Sequence, residues 1–138
     1  IIHRLPKVNH PVYYGGPILT NVVGVLHSTD FILTSTNTLT EDKVGFTLDR
    51  KMLEVIARGD GPKNMLITLG MANWTTGQLE EELEHPRNPA MSWLIMDYDE
   101  KFVFGQLDED KPDDLWERSV SEAIRAKTRE ITSKVFKD

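Results

Sequence analysis

The chain has 138 residues, of which 39% are hydrophobic and 28% charged, and it contains no cysteine. This composition is typical of one globular domain and excludes a disulfide framework, a cysteine nucleophile and a cysteine-based zinc site. No apolar run is long enough for a transmembrane helix, so no membrane contact is predicted. The net charge of −6 disfavours nonspecific nucleic-acid binding, although residues 118–138 carry six basic and three acidic side chains.

The first half of the chain predicts mainly strands, because runs of β-branched and aromatic residues end at turn residues. The predicted strands are residues 12–14, 22–26, 31–38 and 43–48. Asp49 is predicted to cap a helix that runs to Arg58, with Gly59 directly after its end. Residues 65–69 form a short apolar run, which is typical of a buried strand, here ending at Gly70.

The second half predicts helices mixed with short strands. Thr75 and Gln78 have the spacing of a capping box, with Thr75 as N-cap of a helix. Residues 92–96 and 102–104 are predicted as strands. Asp113 or Asp114 is predicted to cap a final helix, whose apolar side is marked by Trp116, Val120, Ile124, Ile131 and Val135. Strands that cluster first and then mix with helices favour an α+β fold over a regular βαβ series.

Established catalytic motifs are absent from the sequence. It contains no glycine-rich phosphate loop, no His-Glu-x-x-His and no serine elbow. The four histidines, His3, His10, His27 and His85, lack the spacing of metal ligands, so no catalytic residue, metal or cofactor is predicted. The acidic run at 108–110 lacks the other residues of a calcium loop, and a solvated connection is favoured.

Two segments of the first half could nevertheless hold a ligand. Tyr14 is followed by Gly15 and Gly16, which could let backbone amides approach a ligand; the alternative is a turn that needs glycine. His27, next to Ser28, could act as an acid, a base or a pH sensor. The alternative is a hydrogen-bonded histidine at a strand end.

A third segment runs from Asn73 to Gln78 and leads from a strand into a helix. Free amides at the helix start could hold an anion, and Trp74 could form a stacking surface or cover the core. We expect the three segments to converge on one ligand site. Its predicted residues are Tyr14, Gly15, Gly16, His27, Ser28, Asn73, Trp74 and Gln78.

Several blocks of the sequence occur together in a known order. They are Tyr14-Gly15-Gly16-Pro17, Val25-Leu26-His27-Ser28, Leu53 to Pro62, Leu69-Gly70 to Trp74, Gly77 to Glu82, Trp93-Leu94 and Leu115-Trp116-Glu117. In this order they resemble the bacterial AlgH/YqgE family over most of residues 12–117. The chain departs from the family at Asn73, Thr75 and Thr76, where glycines and a proline are usual, and at Gly105-Gln106, which replaces an Asp-Thr pair.

The resemblance implies an α+β fold with a strongly bent mixed sheet, partly barrel-like and surrounded by helices. It implies a bacterial, cytoplasmic protein, and members of the family are labelled as transcriptional regulators from a link to alginate production. It supplies no catalytic residues. Residues 1–138 are interpreted as one AlgH-like domain that lacks the family's opening segment and has a helical extension at 118–138.

Three functional hypotheses follow. The first is a regulatory or binding protein without enzymatic activity, whose partner is a protein or a small ligand rather than nucleic acid. The alternative is a metal-dependent hydrolase or nuclease acting on phosphate esters, suggested by His27 and the many carboxylates. A third hypothesis has the final helix expose Trp116, Ile124 and Ile131 as a homo-oligomer contact.

Overall fold

A computed structural model describes residues 9–85, 87, 93–105 and 114–136, with side chains from residue 117 onward in the last range. In these ranges the strands are β1 (Val12–Tyr14), β2 (Ile18–Ser28), β3 (Asn37–Leu39), β4 (Val44–Thr47) and β5 (Met65–Met71). The helices are α1 (Arg50–Arg58), α2 (Gln78–Glu84), α3 (Glu100–Phe104) and α4 (Asp114–Val135). The chain divides after Asn73 into two compact units, unit 1 (residues 1–73) and unit 2 (residues 74–138).

The five strands of unit 1 form one sheet in the order β1-β5-β2-β4-β3. β1 lies parallel to β5, whereas the other neighbours are antiparallel. The α+β class and the mixed sheet are therefore confirmed. Among the described residues no strand pairs with the outer edge of β1 or of β3, so the sheet is not closed into a barrel.

The core of unit 1 lies between α1 and the central strands. Met52, Leu53 and Ile56 of the helix pack with Val25 of β2 and Ile67 of β5. Burial of each such side chain contributes about 1.5–3 kcal/mol. These three helical residues follow the i, i+1, i+4 spacing that places side chains on one side of a helix.

The boundaries of α1 agree with the prediction. The Lys51 N–H donates to the Asp49 carboxylate at 2.9 Å, and Gly59 closes the helix in the left-handed conformation with φ of 82°. β1 and β4 also occur where they were predicted. β2 is longer than expected because β4 and β5 both pair with it, and β5 continues through Gly70 to Met71.

The strand predicted at 31–38 is largely wrong. The Leu33 N–H donates to the Thr36 hydroxyl at 2.9 Å, and the Thr36 N–H donates to the Leu33 carbonyl at 3.0 Å. These local bonds form a turn, which competes with strand pairing. Only residues 37–39 join the sheet, as β3.

Two strand predictions in unit 2 are also wrong. Residues 93–96 belong to no strand, and Ser92 lies outside the described residues. Residues 102–104 belong to α3, because the Asp99 carboxylate accepts from the Phe102 N–H at 2.9 Å and caps a helix there. Local capping thus outweighs the strand preference of the Phe-Val-Phe sequence.

The start of α2 differs from the prediction by two residues. The helix follows Gly77 rather than Thr75, and its N-cap makes no side-chain hydrogen bond. Half of the expected capping box is present, since the Gln78 amide oxygen accepts from the Thr75 N–H at 3.1 Å. The helix ends at Glu84.

α4 is continuous over its 22 residues, which gives a length of about 33 Å. The alternative cap Asp113, the acidic run at 108–110 and the side chain of Trp116 lie outside the described residues. None of the helices in the described ranges combines the length and apolar character needed to cross a membrane.

Candidate functional site

His27 is fully buried in unit 1, and both of its ring nitrogens are hydrogen-bonded. Nδ1 lies 2.9 Å from the Ser28 carbonyl oxygen, which can only accept, so Nδ1 carries the hydrogen. In that tautomer Nε2 accepts from the Thr47 hydroxyl at 2.9 Å. The Thr47 oxygen in turn lies 2.7 Å from the Thr36 hydroxyl. The arrangement fits the hydrogen-bonded histidine weighed above and leaves no ring nitrogen for a substrate.

The His27 ring lies directly over Gly45, its partner across β2 and β4. A Cβ atom at Gly45 would come within 2.5 Å of the ring carbon Cε1 and 2.9 Å of Nε2. No side chain larger than glycine fits beneath the imidazole without a shift. Gly45 was not singled out from sequence, because the contact joins positions 18 residues apart.

Ser28 joins the end of β2 to the segment before β5. Its hydroxyl donates to the Asp30 carboxylate and accepts from the Asn64 N–H at 3.1 Å. The Asp30 carboxylate also accepts from the Lys63 N–H at 3.1 Å. The hydrogen bond from Ser28, aided by Lys63, holds the pKa of Asp30 below its usual value of 3.8. Ser28 therefore has a structural role here.

The Gly15-Gly16 turn is packed tightly against the end of β5. The Gly15 N–H donates to the Leu69 carbonyl at 2.8 Å, and a Cβ at Gly16 would lie 2.5 Å from the Ala72 nitrogen. Gly16 also has φ of 150°, a conformation that favours glycine. This close approach of two backbone segments agrees with the alternative of a turn that needs glycine, while the Tyr14 side chain is exposed.

Unit 1 does not bring its predicted ligand residues to one place. His27 pairs with Met65 at one end of β5, whereas Gly16 meets Met71 and Ala72 at the other end. Six residues of extended strand separate these ends by about 20 Å, which exceeds the span of one small-ligand pocket. Asn73, which is exposed, follows Ala72 at the Gly16 end.

Trp74 is half-buried and contacts Trp93 edge-to-face, with ring centroids 5.6 Å apart. Both indole N–H groups donate to the same carboxylate oxygen, Oε2 of Glu82, at 3.3 and 3.1 Å. The two rings are thereby fixed by one side chain of α2. Gln78 is exposed and bonds back to Thr75. Trp74 was predicted as a site residue, but Trp93 and Glu82 were not.

An apolar run follows Trp93. Trp93, Leu94 and Ile95 are 48%, 52% and 73% exposed, in a segment that belongs to no helix or strand. We define the tryptophan surface as Trp74, Trp93, Leu94 and Ile95. Sequence reasoning missed it because a strand was predicted there, which would have buried alternate residues.

Helix α2, which supplies Glu82 to this surface, carries three further acidic side chains. Glu80, Glu81 and Glu84 are exposed, and in the described part of the chain no basic side chain forms an ion pair with them. Glu82 on the same helix holds the two tryptophans. Glu80 and Glu84 lie two residues from Glu82 on either side, about 160° around the helix axis, so they are on the face of α2 that points away from the tryptophans.

A cavity of about 440 Å³ lies within unit 2, between residues 96–102 and α4. Its charged lining consists of Asp97, Asp99, Lys101, Arg118, Glu122 and Arg129. Glu122 is bound by Arg129 at 3.0 Å, and Arg118 lies over the Phe102 ring at 5.6 Å. Because this lining contains three acidic and three basic side chains, the cavity favours neither anions nor cations.

Tyr98 also lines this cavity. Its hydroxyl is buried without a hydrogen-bond partner among the described residues. Burial, together with the negative charges of Glu100 and Asp99, raises the pKa of Tyr98 above its usual value of 10.0. Because the hydroxyl is enclosed, it does not face the open space of the cavity.

The described ranges contain no cluster of three or more His, Asp or Glu side chains that could hold a metal ion. The fold and site thus define an α+β protein with an open mixed sheet, a structural histidine and an exposed aromatic surface.

The model of the AlgH-like family matches residues 1–126, and the chain belongs to that family. The resemblance predicted from sequence is confirmed. In the solved structures, the AlgH protein from Pseudomonas aeruginosa is similar, with a TM-score of 0.59 and 32% identity. That match covers 76% of this chain and 52% of the other.

The curated relatives are bacterial UPF0301 proteins. The protein from Bradyrhizobium sp. strain BTAi1 is 40% identical over 102 residues, covering 74% of this chain and 45% of the relative. The one from Ralstonia nicotianae is 39% identical over 99 residues, covering 72% and 49%. The chain spans about half the length of the curated relatives it matches.

Proposed function

We propose that this protein binds a protein partner rather than catalysing a reaction, and that the partner contacts the tryptophan surface. The observation that carries the proposal is the fixing of both indoles by Glu82 beside the exposed Leu94 and Ile95. Pre-fixed aromatic side chains lose little conformational entropy on binding, and tryptophan is enriched among residues that dominate interface energies.

The charge of α2 indicates the chemistry of the partner. Glu80, Glu81 and Glu84 would attract lysine or arginine, and like charges on a partner would be repelled. The partner segment is therefore basic and apolar together, as in an amphipathic helix with lysine beside leucine or isoleucine. In this proposal the regulatory role implied by the family is exerted in the cytoplasm through a protein contact.

The alternative, hydrolysis of phosphate esters, depended on His27 as a ligand or base. Both ring nitrogens of His27 are already hydrogen-bonded within the core. The geometry supports binding better than hydrolysis.

A synthetic amphipathic peptide of leucine and lysine, without tryptophan, provides a direct test. We expect it to shift the indole N–H signals of Trp74 and Trp93 in the ¹H–¹⁵N spectrum of the protein. A peptide with glutamate in place of lysine should give no shift.

Leu94→Ser should weaken binding of the lysine peptide by about tenfold or more, because it removes an apolar side chain from the interface. Ile32→Ser is the matched control, because Ile32 is 55% exposed but lies in unit 1. Equal binding of both peptides, or equal loss in the two variants, would overturn the proposal.

A further inference from the structure

Glu82 carries one oxygen that the two tryptophans do not use. Its Oε2 atom accepts both indole N–H groups, from Trp74 at 3.3 Å and from Trp93 at 3.1 Å. A carboxylate oxygen has two lone pairs, so these two hydrogen bonds fill the acceptor positions of Oε2. In the described part of the chain no donor reaches the second oxygen, Oε1. Oε1 therefore remains available as an acceptor.

This oxygen is also accessible from solvent. Within the described ranges, the Tyr98 hydroxyl is the one buried side-chain atom that lacks a hydrogen-bond partner. Since Glu82 is half-buried and its Oε1 has no partner among the same residues, Oε1 is not enclosed. The carboxylate lies against the indole of Trp93, which is 48% exposed. A group that arrives from solvent at the tryptophan surface can therefore reach Oε1.

The charge of Glu82 is not neutralised by any cation among the described residues. The ion pairs of unit 2 join Glu122 and Glu130 to basic residues of α4. Between α2 and Trp93 the sequence contains one lysine or arginine, Arg87, which is exposed and forms no ion pair within the described ranges. A half-buried negative charge without a counter-charge favours a cation supplied by a partner.

We infer that Glu82 binds the ammonium group of a lysine of the partner, through a hydrogen bond from the ammonium to Oε1. This inference rests on the function proposed above and names the residue that recognises the basic part of the partner. The alkyl stem of the lysine packs on the exposed part of Trp93 while its charged end reaches the carboxylate. Glu80 and Glu84 point away from the tryptophans, so they attract a basic partner only over a distance.

The use of Oε2 by the indoles selects lysine over arginine. Arginine binds a carboxylate most strongly through two parallel hydrogen bonds, which need both oxygens. Because Oε2 already accepts two hydrogen bonds, that geometry is closed to a guanidinium. A lysine ammonium is a compact charge for which one oxygen is sufficient. A trimethylated lysine keeps the charge and the stem but has no N–H to donate.

Three peptides of equal charge test this selectivity. They are the leucine–lysine peptide described above and two copies in which arginine or trimethyllysine replaces lysine. Because their charges match, their long-range attraction to α2 is equal, and differences in affinity report the contact at Oε1. The indole N–H signals of Trp74 and Trp93 give each dissociation constant. The lysine peptide should bind at least about threefold more tightly than either copy, because the copies weaken or lose a hydrogen bond to a charged group.

Glu82→Gln and Glu84→Gln are a matched pair of variants, since each removes one negative charge from α2. Glu82→Gln keeps an oxygen for the two indoles, and unchanged tryptophan emission checks that the rings stay fixed. It should bind the lysine peptide about tenfold more weakly and lose the preference for lysine, because the ammonium has lost its charged acceptor. Glu84→Gln, on the opposite face, should change binding by less than about twofold and keep the preference.

The outcomes separate this inference from the proposed function. If the lysine peptide binds without preference over its two copies, or if the two variants lose affinity equally, the role of Glu82 is overturned and the proposed function stands. Tighter binding of the trimethyllysine peptide also overturns it, since that result indicates recognition by the faces of the aromatic rings. If none of the three peptides shifts the indole signals, the proposed function falls and this inference falls with it.

Discussion

Apolar side chains are buried together in unit 1, whereas the described part of unit 2 keeps its large apolar side chains at least partly exposed. Val25, Met52 and Ile67 meet between α1 and the sheet. In the described part of unit 2, Ala123 is the one fully buried apolar residue, and Ile131 and Phe136 are exposed. Unit 1 therefore owes its stability to a core of its own, and unit 2 has surface left for partners.

The two units also differ in how their buried polar groups are hydrogen-bonded. In unit 1 the buried His27 and Thr47 are hydrogen-bonded to each other, and a further hydrogen bond joins Thr47 to Thr36. In unit 2 the buried Tyr98 hydroxyl has no partner among the described residues. A satisfied polar network specifies one arrangement of a core, whereas an unsatisfied group costs stability.

The largest expected effect comes from the core of unit 1. Met52→Ala should lower the free energy of unfolding by about 2–5 kcal/mol, because it removes a fully buried side chain and leaves a cavity. Urea unfolding followed by circular dichroism measures the change. Ile131→Ala, on the exposed side of α4, should change it by less than about 0.5 kcal/mol. Similar losses in both variants would contradict the contrast between the units.

Gly45→Ala should cost about 1–3 kcal/mol, because the new methyl group would overlap the His27 ring. His27→Ala removes the ring and should reduce the cost of the second substitution. A double-mutant cycle measured by urea unfolding would reveal this coupling. Additive effects would show that the ring and Gly45 are not in contact.

The Ser28–Asp30 link predicts a dependence on pH. Since folding lowers the pKa of Asp30, its ionised form stabilises the folded state above the unfolded pKa of about 3.8. This stabilisation should disappear as the pH falls through the lower folded pKa. Melting temperatures of the original chain and Asp30→Asn should differ at pH 7 and converge in acid. A difference that persists in acid would rule out the carboxylate as its source.

The smallest effect is expected at Glu82. Glu82→Gln keeps an oxygen that can accept from both indoles, so stability should change by less than about 1 kcal/mol. Glu82→Ala should release the rings and shift tryptophan emission to longer wavelength. Identical emission spectra of the two variants would show that Glu82 does not fix the tryptophans.

Local signals in the sequence were sufficient for part of the fold. Asp49 and Gly59 bound α1 because a cap acts on its nearest neighbours. Residues 102–104 were misassigned because the Asp99 cap competed with strongly strand-forming residues. For the candidate site, the sequence predicted Trp74 but not its contact with Trp93, which lies 19 positions away. Such a contact depends on tertiary packing, which spacing along the sequence does not encode.

The parallel pairing of β1 with β5 has a consequence for the order in which the chain is made. Val12 pairs with Ile67, so β1 leaves the ribosome more than fifty residues before its partner exists. Antiparallel β2 and β4 are close in sequence and can pair first, whereas β1 must wait. During synthesis β1 is therefore the last strand to join this sheet, and the outer edge of β5 stays unpaired until β1 joins it.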